Sequence, residues 1–385
     1  MTFSGIQARI KLNRNELSGA FGDIGTDLPL IVGMLLATDL SMTNVLIVFG
    51  VLQIMTALVY GIPMPVQPLK AVALIVITQK ISGDIILGGG LAIGLIMLVL
   101  SLTGLLNWLN RIIPRTVIRG IQLGLGLQLC LVALKDYIPS GQQAGYILAA
   151  AGFLIGILLL GNRRYPPALF ILALGAVYIF LFKADQLLSL QISVPRMTLP
   201  EIKTDSILTG MVLLALPQIP LSLGNSIFAT RQLVTDYFPE KKMNVKHIGL
   251  TYSVMNIISP FLGGLPVCHG SGGIAGHYTF GGRTGGSAFI YGLFFLAIGL
   301  LFGSNSPESL LIFPKSLLGI LLLFEGIALI LLVKDIITDK RMFFIATVVG
   351  LCAIGLPDGY LVGLVIGTAL FYLSPEFVLK HFGKH

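Results

Sequence analysis

The sequence predicts an all-α membrane protein built from two inverted halves of seven apolar segments each. Three observations carry that expectation. Of 385 residues, 55% are hydrophobic and only 11% are charged, where a soluble domain carries about a quarter, and the mean hydropathy is +0.92. Apolar runs recur along the whole chain. Two Gly/Pro-interrupted stretches, one in each half, stand in corresponding places.

A helical crossing needs about 20 residues, so shorter runs read as half-helices or tightly packed inner helices. Spans 1 to 7 are Leu17–Ala37, Met42–Gly61, Val66–Thr78, Ile85–Leu106, Thr116–Leu134, Gly145–Gly161 and Pro167–Phe182. Spans 8 to 14 are Ser206–Ala229, Val245–Gly264, Gly270–Phe280, Ser287–Phe302, Leu310–Val333, Met342–Gly355 and Tyr360–Leu373. Residues 1–183 thus form one repeat, 184–204 an external connection and 205–385 the second repeat. The short head and tail leave no room for a soluble domain, and no cleavable signal peptide is expected. Cys130, Cys268 and Cys352 sit in apolar surroundings without a CxxC pair, so neither a disulfide framework nor a metal site is expected. No cofactor is expected either.

Loop charge supports this division. With a cytoplasmic N-terminus, eighteen of the 25 Lys and Arg fall on the inner side, six on the outer side, and Lys70 within a span. That asymmetry follows the positive-inside rule. It also explains the net charge of +8 without nucleic acid.

The halves echo one another. Gly61-Ile-Pro-Met-Pro-Val-Gln-Pro-Leu-Lys-Ala-Val-Ala73 and Gly264-Leu-Pro-Val-Cys-His-Gly-Ser-Gly-Gly-Ile-Ala-Gly276 both read Gly-x-Pro, then extended residues, then a small apolar helix. The same offset of 203 sets Ser18–Asp27 opposite Leu221–Thr230. An odd number of spans per half inverts the repeats. Broken segments at matching positions of two halves point to a transporter site. Gly263–Gly286 is too Gly-rich for an ordinary span, and irregular backbone at membrane depth must be buried in protein or line a wet cavity.

In the first break, Pro63 and Pro65 enforce extended backbone. Gln67 reads as an N-cap, with Pro68 at the first helical position. Lys70 then falls in the first helical turn, where a cation opposes the helix dipole and needs an anion. Its partner is Asp23 or Asp27 on a structural reading, and an anionic substrate on a functional one. In the second break Pro266 plays the part of Pro63. Ser271 or Gly270 can cap the helix, and Gly270, Gly272 and Gly273 leave N–H groups open to a ligand. Close packing of small residues is the alternative. Two facing helix N-termini supply roughly half a charge each, and Lys70 one more, which suits a doubly charged anion.

Asp23 and Asp27 lie four apart on one face of span 1, with Thr26 between them. They can hold Lys70, bind a coupling proton or cap a break near Gly22–Gly25; a purely structural role is the alternative. Gln218 and Asn225 can donate to an oxyanion or join helices. Glu325 stands alone in an apolar span, either proton-linked or a hydrogen-bonded structural carboxyl. His269 and His277 could titrate near neutrality, although a lone His is commonly a satisfied packing residue. Arg283 is expected at the cytoplasmic end of its segment.

Residues 21–30 (Phe-Gly-Asp-Ile-Gly-Thr-Asp-Leu-Pro-Leu), 63–71 (Pro-Met-Pro-Val-Gln-Pro-Leu-Lys-Ala) and 268–285 (Cys-His-Gly-Ser-Gly-Gly-Ile-Ala-Gly-His-Tyr-Thr-Phe-Gly-Gly-Arg-Thr-Gly) resemble the motifs of the molybdate transporter family, related to the SulP sulfate permeases. The resemblance implies the 7+7 inverted-repeat fold shared with uracil permeases. Spans 1–4 and 8–11 would form a core domain and spans 5–7 and 12–14 a gate domain, with substrate between the half-helices of spans 3 and 10. Sulfate permeases usually end in a STAS domain, and none is expected here.

The function expected is a secondary transporter of molybdate, or of sulfate or tungstate. The anion would be held by the half-helices starting at Pro68 and Ser271, with Gln67, Lys70 and Ser271 nearby and His269 beside them. A coupling proton or cation, the lipid bilayer and, where it assembles, a homodimer complete the expected partners. One rival is a nucleobase or carboxylate transporter of the same fold. A distant one is an intramembrane hydrolase with Ser271 as nucleophile, for which His269 is badly placed as base.

Overall fold

The computed structural model describes residues 9–160, 165, 167–192, 194–357 and 359–373. Arg163, Arg164, Lys380 and Lys384 of the loop-charge count, the expected end of span 6 at Gly161 and the whole of the expected tail after Leu373 lie outside these. The regular structure of the described residues is helical apart from two strands of two residues, β1 (Gln67–Pro68) and β2 (Val267–Cys268). Among the described residues five helices are long and apolar enough to cross a membrane, and Arg14–Ala20 with Ile24–Ala37 makes a sixth across a 42° bend. The chain is thus a multi-pass membrane protein with shorter inner helices among its full crossings.

Several boundaries differ from the sequence reading, each for a local reason. The first half-helix begins at Lys70 with Leu69 at the cap, and not at Pro68 with Gln67 as cap. Residues 67–68 stay extended because they pair with β2, and the Leu69 N–H continues the pairing to Pro266 O at 3.1 Å. Span 8 runs on as one helical stretch, Thr204–Tyr237. Pro217 and Pro220 each remove an N–H and crowd the preceding turn. Wide π turns at Met211–Ala215 and Ser222–Ala229 flank them and keep the stretch continuous. Span 12 starts at Lys315 behind Pro314, and a 3₁₀ turn, Pro307–Ile312, precedes it, since the residue before a proline resists the helical conformation. Two short helices, Leu105–Ile112 and Ala184–Leu188, lie in the connections.

Helix packing sorts the spans into two groups. Span 2 packs on span 11, span 4 on span 9 and the start of span 8, and span 1 on spans 3 and 11. In the second group span 5 packs on spans 12, 13 and 14, span 12 on span 6, and span 13 on span 14. The groups meet where span 12 crosses span 1 and span 5 touches span 3. Small residues permit the closest crossings: a Cβ on Gly50 of span 2 would fall 2.7 Å from Gly292 O of span 11.

The loops also sort to two ends. At one end Arg9 donates to Leu58 O and Val59 O, Gly285 N donates to Arg9 O, and Arg115 and Arg119 pair with Asp335. At the other, Lys183 donates to Leu311 O, Asn44 to Thr198 O, and Asp39 accepts from Gly83 N. The end holding Arg9, Arg115 and Arg119 is the basic one.

Candidate functional site

The site is organised by β1 and β2, which pair antiparallel with Gln67 opposite Cys268 and Pro68 opposite Val267. A two-stranded ribbon buried in the bilayer must still satisfy the backbone beside it. Side chains from the preceding spans do this in the same way in each half. Gln53 of span 2 clasps Val66, accepting from its N–H at 3.1 Å and donating to its C=O at 2.7 Å. Asn256 of span 9 clasps Val267 at 2.9 and 2.6 Å. One turn on, Thr56 donates to Met64 O and Ser259 to Leu265 O. Gln53 and Asn256, like Thr56 and Ser259, are related by the same offset of 203 as the two breaks. These four residues escaped the reading of motifs, although polar residues three apart in two apolar spans at the repeat offset were a visible signal. Gly61 and Gly263 end spans 2 and 9 with φ of 63° and 71°, a left-handed stop that suits glycine.

From the ribbon the chain turns into two half-helices, Lys70–Gln79 and Ser271–Thr279. Their N-termini are not equivalent. The first is closed by protein: Gln218 Oε1 accepts from Ala71 N at 3.0 Å and Val72 N at 3.4 Å, and its Nε2 donates to Ser222 Oγ at 3.1 Å. Gln218 therefore caps a helix here and does not present a free donor to an oxyanion, because span 8 carries it against the first turn. The second N-terminus is open. Gly270 is its cap and has no side chain to offer. Ser271 Oγ donates sideways to Asn225 Oδ1 at 2.6 Å, and Gly272 is exposed, with nothing within 4 Å of where its Cβ would stand. Gly270 and Gly273 are explained by packing instead: a Cβ on the first would run into Gln67, and on the second into Asp23 and Pro65. Of the three glycines, Gly272 is the one that leaves room for a ligand.

The charges arrange themselves differently from the expectation that Asp23 or Asp27 neutralises Lys70. Lys70 pairs with Glu325 of span 12, their side chains only 6% and 15% exposed. Glu325 is therefore not alone, and its other oxygen accepts from Thr26 Oγ1 at 2.9 Å. Asp23 lies in the break of span 1, with both oxygens 2.6 Å from Gln67 Nε2. Asp27 accepts from Tyr291 at 3.1 Å through Oδ2, while its Oδ1 has no partner within the protein. The aspartates are thus occupied by an amide and a phenol, and span 12 brings the carboxylate that Lys70 requires.

His269 bridges Thr251 Oγ1 at 2.9 Å and Pro65 O at 3.1 Å. Both its ring nitrogens are engaged away from Ser271, so the hydrolase reading lacks its base. It braces β2 against β1. His277 is buried, packs edge-on against Tyr291 with centroids 5.8 Å apart, and has no hydrogen-bond partner on either nitrogen; it packs without being satisfied. Arg283 follows the second half-helix, with its guanidinium 3.7 Å above the Tyr278 ring.

Two cavities approach this centre from opposite ends, between the two groups of spans. One, about 390 Å³, is lined by Thr26, Phe280 and Glu325 among mainly apolar residues of spans 6, 7 and 12. The other, about 360 Å³, is lined by Ile75, Gln79, Gln128, Lys135 and Tyr360. The Lys70–Glu325 pair lies at the inner limit of the first, through Glu325 itself.

A family model described as "Molybdate transporter of MFS superfamily" matches residues 15–129 and 210–329. "Molybdate transporter 1" of Arabidopsis thaliana is 32% identical, aligned over 96% of this chain and 91% of that protein. The transmembrane domain of a cyanobacterium bicarbonate transporter, BicA, superposes with a TM-score of 0.62 at 16% identity, covering 94% of this chain and 100% of that one. Murine Slc26a9, an anion transporter solved in an inward-facing state, gives 0.65 at 14% identity, covering 94% of this chain and 68% of that one. These two show the fold: the inverted-repeat architecture of SulP and SLC26 membrane domains, and not the parallel halves of the superfamily named in that description. The family model matches more than half of the sequence and the Arabidopsis relative nearly all of it, so this chain belongs to the molybdate transporter family.

Proposed function

We propose that this protein is a secondary transporter of a tetrahedral oxyanion, with molybdate as the substrate and sulfate and tungstate as the nearest alternatives. The observation that carries this reading is the open N-terminus at Ser271 and Gly272, set across a buried ribbon from a membrane-embedded cation, Lys70. Unpaired N–H groups at a helix start form an anion site by construction. The relatives named for molybdate supply the substrate. Asn225 steadies Ser271, and Gln67 holds the Asp23 carboxyl beside Gly273, in the first turn of the same half-helix.

Spans 1–4 and 8–11 act as the core that carries the anion, and spans 5–7 and 12–14 as the gate. The packing of the two groups, and the cavities between them at opposite ends, favour that division. Movement of core against gate would open one cavity while closing the other. The basic end faces the cytoplasm, with both termini there, and the protein resides in the cell membrane; the loop charges support this. Uptake of molybdate into proteoliposomes, challenged with unlabelled sulfate, tungstate and uracil, tests the proposal. Competition by the oxyanions alone is expected. Competition by uracil alone would favour the nucleobase rival.

A further inference from the structure

The site contains a contradiction that the transport reading must resolve. The cation meant for the anion is already neutralised by Glu325, and of the two facing N-termini one is capped by Gln218. A dianion arriving beside Lys70 would meet the Glu325 carboxylate as a like charge in a site with little water. Buried charges of that kind are tolerated only when paired. Either Glu325 leaves or it loses its charge. Thr26, on span 1, holds its second oxygen in place, and Glu325 lines the cavity that opens between the two groups of spans, which gives protons a route to it.

We infer that Glu325 is the coupling group: it serves as the resident counter-ion of Lys70 when no anion is bound, and takes up one proton when the anion takes its place. This rests on the transport reading above and adds its driving ion. The step is simple to balance. A proton from water adds to a Glu325 carboxylate oxygen, the carboxyl becomes neutral, and the Lys70 ammonium keeps its charge and turns it toward the anion. Because Lys70 belongs to span 3 and Glu325 to span 12, the same exchange unties the core from the gate.

Among the described residues the other titratable groups facing this centre are Asp23 and Asp27 on span 1, Lys70 on span 3, Cys268 on β2 and Tyr291 on span 11, which donates to Asp27, while Tyr137, just after span 5, packs on Gly319 of span 12. On span 5, Cys130 packs against span 12 and donates to Leu323 O. Spans 6 and 7 meet span 12 with apolar residues such as Phe153 and Ile171. Asp23 and Asp27 are the competing candidates, and each already has a donor from outside the Lys70 pair.

Binding of molybdate to the purified full-length protein, measured by calorimetry in two buffers of equal pH and different ionisation enthalpy, reads protons taken up per anion. The wild type is expected to take up about one, with affinity rising as pH falls. Glu325→Gln is expected to take up none and to bind about tenfold or more tightly at neutral pH, since its competitor is gone. Asp23→Asn and Asp27→Asn are expected to keep the uptake. Wild-type binding without proton uptake, or uptake unchanged in Glu325→Gln, would overturn the assignment and leave the transport reading standing. Loss of uptake in Asp23→Asn or Asp27→Asn, with Glu325 intact, would overturn it too and move the site to that carboxylate. Failure of the wild type to bind any tetrahedral oxyanion would sink both.

Discussion

Replacing Lys70 by Met removes the membrane-embedded cation while keeping the length of the side chain. In the wild type the pair is almost fully enclosed, with Lys70 6% and Glu325 15% exposed. Removing one partner of such a pair leaves a lone buried charge and typically costs about 3–5 kcal/mol. The lower half of that range applies, because Glu325 lines a cavity and keeps its bond from Thr26. Neutralising both groups, in Lys70→Met with Glu325→Gln, leaves no lone charge and is expected to recover most of that loss. The double variant should therefore be about 2–3 kcal/mol more stable than Lys70→Met alone. Thermal unfolding in detergent reads the stability side, and proteoliposome uptake reads function. Both Lys70 variants should lose molybdate uptake, whatever their stability. A double variant as unstable as Lys70→Met, or full uptake in either, would refute the reasoning.

Other outcomes follow from the same geometry. Gln218→Leu strips the cap from two N–H groups and should lower stability by about 1–3 kcal/mol, whereas Gln218→Glu keeps the acceptor and should retain most of it in the same thermal assay. Gln53→Leu and Asn256→Leu each abandon a buried backbone pair beside the ribbon, and should each cost about 1–3 kcal/mol; a large effect in one half and none in the other would speak against their equivalence. Gly272→Ala should leave the melting temperature near wild type because its Cβ meets open space, while Gly273→Ala should overpack against Asp23 and Pro65 and lose about 1–3 kcal/mol.

Much of this was readable from the chain alone, because membranes leave few choices. The span count follows from apolar runs of a length fixed by the bilayer. The breaks announce themselves through prolines and glycines at matching places in the two halves. Lys70 was recognisable as a charge in need of a partner. The identity of that partner was not, since Glu325 lies 255 positions further on and span packing, which no single sequence displays, brings it across. Two carboxylates in a nearby motif drew the pairing instead, and both turn out to serve donors that the sequence had not flagged for them, Gln67 and Tyr291. Gln218 shows a different limit: a buried amide has both a donor and an acceptor end, and only coordinates reveal which one faces the half-helix. The strand pairing that holds Gln67 and Pro68 out of the helix also depends on a segment about 200 residues away.

The most direct measurement is the position of the anion itself. Molybdenum and tungsten scatter X-rays anomalously, so a crystal of the full-length protein grown with molybdate or tungstate would locate it without ambiguity. The expected peak places the anion's oxygens within hydrogen-bond reach of the Ser271 and Gly272 N–H groups and of Lys70 Nζ, with Glu325 no longer on Lys70. A peak elsewhere between the two groups of spans, with Lys70 and Glu325 still joined, would contradict the proposed site.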